Sequence, residues 1–219
     1  MQRVVIFGTG DFAQVAHAYL ARSEAFEVSG FTVNERHLTD PSPLSHEVVP
    51  FERIEDRFPP GEFAMLVAVG YSRLNKARTE AYQACKARGY TLITYIDPGA
   101  SLVGDTTVGD NCFIFEQNVI QPFVTIGNNV VLWSGNHVGH HSTIGHNCFV
   151  ASHAVIAGRV TIGDNCFIGV NATIRDGVTI APNCIIGAGT TILNDTKEAE
   201  VYRVAGTTPS PHRSQRWRV

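Results

Sequence analysis

From Leu102 onward every sixth residue is aliphatic. The series runs Leu102, Val108, Ile114, Ile120, Ile126, Leu132, Val138, Ile144, Val150, Ile156, Ile162, Ile168, Ile174, Ile180, Ile186 and Ile192, without insertion or slip. Leu, Val and Ile make up about a fifth to a quarter of ordinary composition, so chance does not produce sixteen in a row. A second series of small or medium residues follows four positions after each, from Thr106, Cys112 and Asn118 through Cys184 and Thr190. Neither the helical period of 3.6 nor simple strand alternation gives this spacing. It fits a short strand, a corner, and repetition, with three sides returning the chain to its start one coil higher. Identity is strongest at eighteen residues, in Val108-Gly109-Asp110-Asn111-Cys112, Ile144-Gly145-His146-Asn147-Cys148 and Ile162-Gly163-Asp164-Asn165-Cys166. The aliphatic residue fills a narrow triangular core, the small one sits inward near a corner, and Gly, Asn and Asp supply the turns. A little over five coils result, paired as parallel strands about 4.8 Å apart.

The first ninety-odd residues read differently. Arg3–Thr9 is a buried strand, Gly8-Thr9-Gly10-Asp11-Phe12-Ala13 a glycine-rich turn, and a helix follows to about Ser23. Phe26–Val33 and Phe63–Val69 read as strands, Leu74–Arg88 as a helix, and Thr91–Ile96 as the last strand; Pro41, Pro43, Pro59 and Pro60 mark loops. The expected division is a small Rossmann-like α/β domain over residues 1–97 and a hexapeptide-repeat parallel β-helix over 98–219, with Asp97-Pro98-Gly99 at the junction. A strand, a Gly-rich turn and a helix N-terminus suit a phosphate, because the first helical amides and the helix dipole attract an anion. A sugar nucleotide, NAD, or a tight turn holding nothing all remain open. NAD is disfavoured by the small size of the domain and by Thr32-Val33-Asn34, which lacks the acidic residue that holds a ribose diol.

Composition narrows the setting. Hydrophobic residues make up 44% and charged residues 17%, as in a globular chain. A formal net charge of −3 without a Lys/Arg block argues against nucleic-acid binding. No apolar run is long enough for a membrane span, and MQRVVIFGTG reads as a first strand rather than a signal peptide. Cytoplasmic localisation is expected. The five cysteines, Cys85, Cys112, Cys148, Cys166 and Cys184, are an odd number in such a chain, so a disulfide framework is not expected. Cys148, Cys166 and Cys184 recur at inward positions and read as stacked buried thiols.

Five of nine histidines lie in the repeat, and the cluster Trp133-Ser134-Gly135-Asn136-His137-Val138-Gly139-His140-His141-Ser142 is polar and ionisable. His140 falls two residues past inward Val138, at a coil edge facing out. A surface histidine is ordinarily inert, which is the reading for His146 and His153. For residues 137–141, chemistry and inertness stand side by side. Acyl transfer from a thioester needs a base near the nucleophile, and imidazole suits that task around neutral pH.

The short α/β domain followed by the hexapeptide helix resembles the bacterial sugar acyltransferases of the hexapeptide-repeat superfamily. These include sialic acid O-acetyltransferases and N-acetyltransferases acting on nucleotide-linked 4-amino-4,6-dideoxysugars. The resemblance covers nearly the whole chain. It implies a left-handed β-helix, against the usual right-handed crossover. It also implies a cytoplasmic homotrimer using acetyl-CoA without a metal, serving cell-surface polysaccharide synthesis by acetylating the amine of a nucleotide-linked amino-dideoxysugar. O-acetylation of a sugar such as a sialic acid is the alternative. A non-acyltransferase β-helix of the carbonic-anhydrase kind is the rival from another class.

The segment Gly139-His140-His141-Ser142-Thr143-Ile144-Gly145 matches the family's catalytic segment, which makes His140 the general base. Some members carry a carboxylate directly after this histidine; here His141 stands in its place, as a second catalytic candidate. The resemblance puts the nucleotide against Gly8, Gly10, Asp11 and Phe12, with Tyr71, Ser72 and Arg73 at the same sheet edge and Asn136 as a further substrate contact. Ser72 also reads as a helix cap. Acyl-CoA is expected along a groove between copies. Gly158 and Asp176 follow His140 at the eighteen-residue period, and Ala188 and Gly189 belong to the opposing wall. The ending Val204–Pro211 departs from the family's Gly-x-Pro-Ala-basic pattern. His212–Val219, with Arg213, Arg216, Trp217 and Arg218, is open to capping the solenoid, to meeting CoA phosphates or to disorder.

Overall fold

A computed structural model describes residues 1–38 and 46–206. Pro41, Pro43 and the tail from Thr207 lie outside the described residues.

β1 (Gln2–Phe7), β2 (Phe26–Val33), β3 (Val48–Pro50) and β4 (Ala64–Val67) form one parallel sheet in the order β3-β2-β1-β4. The apolar run of β1 suits its central place, since Val4, Val5 and Ile6 are buried from both sides. α1 (Asp11–Leu20) turns Ala13, Ala16 and Leu20 toward one side of the sheet. α2 (Lys76–Ala87) packs Ala81 and Cys85 on the other. β3 is a strand the sequence did not announce, three residues long and ending in Pro50. The expected last strand divides: Leu92 only bridges Met65, while β5 (Tyr95–Ile96) pairs with Phe113–Ile114 and so belongs to the repeat.

The repeat is a triangular parallel β-helix. Its first face stacks seven two-residue strands from β5 to Val201–Tyr202, its second six from Ser101–Leu102 to Thr191–Ile192, and its third five from Thr107–Val108 to Thr179–Ile180. The aliphatic and small series together form one continuous core. Register holds at eighteen residues through the stack, and tightens at the top, where Ile185 pairs with Val201. Every cysteine is a buried free thiol. Cys112, Cys148 and Cys166 each donate to a carbonyl on the next coil, those of Gly127, Gly163 and Ala181, at 3.1, 3.1 and 3.2 Å. Burial pushes the Cys112 thiol up to about 12, so it acts as a donor rather than a nucleophile.

The corners between the third and first faces place Asn111, Asn129, Asn147, Asn165 and Asn183 in the left-handed region, where Asn is tolerated. Their amides form a ladder, Asn111 to Asn129 to Asn147, at 2.8 Å per rung. The lowest rung reaches the other domain, since Val67 N donates to Asn111 Oδ1 at 2.8 Å.

The α/β domain covers the first face. Outward positions there are apolar, with Phe113, Val131 and Phe149 buried against α1 and the sheet. Phe12 and Tyr19 of α1 meet Phe113 and Phe115 edge-on or tilted. The third face instead exposes Thr107, Thr125, Thr143, Thr161 and Thr179 to solvent. α2 docks on the Asn corner through Asn75 and Arg78. The Arg78 guanidinium is fully buried and has no carboxylate among its hydrogen-bond partners. It donates to the carbonyls of Asn147 (2.8 Å), Cys148 (3.1 Å), Asn129 (3.4 Å) and Gly70 (3.3 Å). Burial lowers it to about 10, so it stays charged at neutral pH.

Candidate active site

A cavity of about 1300 Å³ opens where β1, β2 and β4 end, above the first face of the repeat. Its wall contains all seven residues the sequence placed there: Gly8, Gly10, Asp11, Phe12, Tyr71, Ser72 and Arg73. The two glycines do different work. Gly8 holds φ at +128°, and an added Cβ would lie 2.7 Å from Ala68 O, so it is required by strand packing. Gly10 is extended, caps α1 without a side-chain bond, and faces open space. Gly10→Asn should therefore leave the melting temperature unchanged or raise it, because Asn is a favoured N-cap. The same side chain occupies the amides an anion would use, and should raise KM for a nucleotide ligand about tenfold or more. Gly8→Ala should instead destabilise the fold by about 1–3 kcal/mol, read by denaturant unfolding.

Several expectations change. Ser72 does not cap α2; Asn75 holds that place, in the left-handed region with φ 64°, and its amide donates to the carbonyls of Asn165 and Cys166. Arg73 forms a two-pronged ion pair with Glu80 on the cavity rim. Asn136 is corrected as a substrate contact. It is buried, its Nδ2 donates to Trp133 O, and its Oδ1 accepts from Ala154 N at 2.8 Å, so its amide is committed to the coil. Asn34, Arg36, His37, Trp133 and Phe149 also line the cavity and were not foreseen. The signal for Asn34, Arg36 and His37 was positional, because residues just beyond β2 must lie at the same sheet edge as the Gly-rich turn. Glu52 fixes this stretch by accepting from Glu35 N at 2.9 Å and Asn34 Nδ2 at 3.3 Å.

His140 and His141 are exposed on the corner between the second and third faces. Gln121 Oε1 accepts from His140 N at 2.9 Å, and the two Nδ1 atoms are 3.1 Å apart. The His141 ring lies 4.7 Å from that of Phe123. Gly158 follows directly above His140. A Cβ there would come 2.9 Å from His140 Nε2 and 2.8 Å from Asp176 Oδ1. Gly158 thus leaves the imidazole edge open, with a carboxylate beyond it. Ala188 and Gly189 are exposed on a different corner, between the first and second faces.

The His140 corner is the only one of the three that the first face does not share. The cavity lies over the first face, so the triangular prism separates it from the chain's own His140. Among the described residues no group of three or more His, Cys, Asp or Glu side chains is placed to hold a metal ion. No helix among them is long and apolar enough to cross a membrane.

Residues 123–158 and 159–194 match the family described as bacterial transferase hexapeptide (six repeats). No curated protein matches the sequence. The acetyltransferase domain of PglB from Neisseria gonorrhoeae superposes with a TM-score of 0.81 at 20% identity, over 92% of this chain and 96% of that one. PerB from Caulobacter crescentus, solved with CoA and GDP-perosamine, gives 0.80 at 25% identity over 92% and 93%. WeeI from Acinetobacter baumannii gives 0.53 at 14% identity over 87% and 96%. The fold is thus one that bacterial sugar acetyltransferases use.

Proposed function

We propose that this protein is an acetyl-CoA-dependent N-acetyltransferase acting on a nucleotide-linked amino-dideoxysugar. The observation that carries this reading is the pairing, in one chain, of a cavity fitted to a phosphate with an open imidazole on the repeat. The likeness to PerB, a protein seen with both CoA and a nucleotide-linked sugar, supports it. The α/β unit acts as a Rossmann-like nucleotide domain, and the coil is left-handed as in the resembling enzymes. His140 Nε2 removes a proton from the sugar amine as its nitrogen bonds to the acyl carbon. The tetrahedral intermediate then expels the CoA thiolate, which takes the proton from His140.

The separation of cavity and imidazole supports a homotrimer in which each site joins two copies. The second face carries Val119 and Val155, 41% and 43% exposed, and Phe123 on its corner is 55% exposed. Packing these about a threefold axis brings the cavity side of one copy against the His140 corner of the next. Gly158 and Asp176 then line one wall of an acyl-CoA groove, with Ala188 and Gly189 of the neighbouring copy opposite. Free buried thiols suit a reducing cytoplasm.

The test is release of free CoA thiol from acetyl-CoA with GDP- and UDP-linked amino- and hydroxy-sugars. Turnover confined to amino-sugars is expected, and turnover confined to hydroxyl acceptors would replace N- with O-acetylation. Assayed with nucleotide sugar well below its wild-type KM, where Gly10→Asn alone keeps about a tenth of the activity or less, co-refolding it with His140→Ala chains should restore about a quarter, because random assembly pairs an intact cavity with an intact neighbouring base in about that share of sites. No recovery would place both halves of the site in one copy.

A further inference from the structure

We infer that His141 is a positioning residue whose Nδ1 accepts the Nδ1 proton of His140, fixing His140 in the tautomer whose Nε2 is a free base. The inference rests on the acyltransferase reading above and deepens it. A hydrogen bond between Nδ1 atoms 3.1 Å apart needs one ring to donate and the other to accept. If His141 donated it, the proton of His140 would sit on Nε2, the atom beside Gly158, and that edge could take none. If His140 donates it, Nε2 presents a lone pair into the gap that Gly158 keeps open.

The neighbouring coils frame the pair. The carboxylate of Asp176 lies across Gly158 from His140. Arg159 takes the corner position of His141 one coil higher, its N–H donating to His140 O at 2.8 Å. Phe123, one coil lower, holds the His141 ring from its other side.

A second observation is independent of the hydrogen bond. Phe123, His141 and Arg159 all sit at positive φ, 66°, 59° and 58°, in three successive coils of one corner. The equivalent corner position between the third and first faces is Asn in five coils. Bulky side chains such as Phe and Arg are uncommon in this region, and while the corner between the first and second faces also admits Gln117 and His153, this column alone sets a histidine between an aromatic and a cationic residue.

The experiment combines ¹⁵N-imidazole NMR, assigned with His140→Ala, and steady-state kinetics. Wild type should show His140 protonated at Nδ1 and bare at Nε2. His141→Phe keeps a ring against Phe123 but removes the acceptor. It should move the His140 proton to Nε2 and lower kcat about 10²-fold, with KM for both substrates unchanged. His141→Glu restores an acceptor, and should return both the tautomer and most of kcat. His141→Asn suits the left-handed corner and should raise the melting temperature by about 2–4 °C. A His140 tautomer that is the same in wild type and His141→Phe, or a fall in melting temperature in His141→Asn, would overturn the inference. If the tautomer shifts as described but wild type acetylates no sugar amine, the histidine pair stands and the acceptor assignment fails.

Discussion

Replacing His140 by alanine lowers kcat for acetyl transfer about 10²–10⁴-fold, the range lost when a general base is removed. The loss should fall on kcat rather than KM. Nothing in the nucleotide cavity touches this corner of the same chain, and the imidazole contacts reacting atoms rather than the bulk of either substrate. Folding should be unaffected, because the side chain is exposed and its backbone N–H keeps its bond to Gln121. Isothermal titration with CoA separates the two effects: unchanged affinity with lost turnover is the expected pair. Turnover within a few-fold of wild type would remove His140 from the chemistry and leave the corner as a binding edge only.

Arg78→Met should be the most damaging change away from the reacting groups. The substitution keeps an unbranched apolar stem and removes the charge. It strips the Arg78 donor from the carbonyls of Asn129, Asn147 and Gly70, and from Cys148 O, which keeps the Val131 N–H. Each buried acceptor left without its donor costs about 1–3 kcal/mol, so a loss of about 3 kcal/mol or more is expected. That corresponds to a fall in melting temperature of about 6–12 °C for a chain of this size. KM for the nucleotide sugar should rise as well, because Gly70 precedes Tyr71, which packs on Phe149 and Phe167. Arg78→Lys should recover only part of the loss, since an ammonium cannot fan out to carbonyls on two coils. A melting curve unchanged in Arg78→Met would mean that the ladder and aromatic contacts alone hold the domains together.

The repeat was legible because its period is set by geometry that every coil must satisfy. Each aliphatic residue faces the same narrow core, so the pattern survives without help from distant sequence. A second signal lay one position earlier. The residue before the aliphatic one is Phe or Val at 113, 131, 149 and 167 and Thr at 107, 125, 143, 161 and 179. That eighteen-residue alternation separates the face covered by the α/β domain from the face left to water. The cavity residues were legible for a similar reason, since strand ends and the turn after β1 share one edge. What escaped depends on partners far away in the chain. Arg78 lies in Lys76-Ala77-Arg78-Thr79-Glu80, which reads as a solvated helix face. Only the corner carbonyls fifty to seventy residues later make its burial possible. Asn136 escaped in the opposite sense: its place in the inward series already committed it to the core, and its polar character suggested a ligand contact it cannot make.

The stacking of whole coils also makes the protein a ruler. Val67, Asn75 and Arg78 fasten the cavity to corners from Asn111 to Cys166, so its height on the stack is fixed relative to the coil that carries His140. Moving the His140 segment up or down the stack by one complete coil of eighteen residues would shift the imidazole along the axis by about 4.8 Å without changing the direction it faces. Any shorter insertion would rotate it to another edge. The reach from the cavity to the reacting atom is therefore quantised in steps of one coil, and only whole-coil changes keep the same corner chemistry.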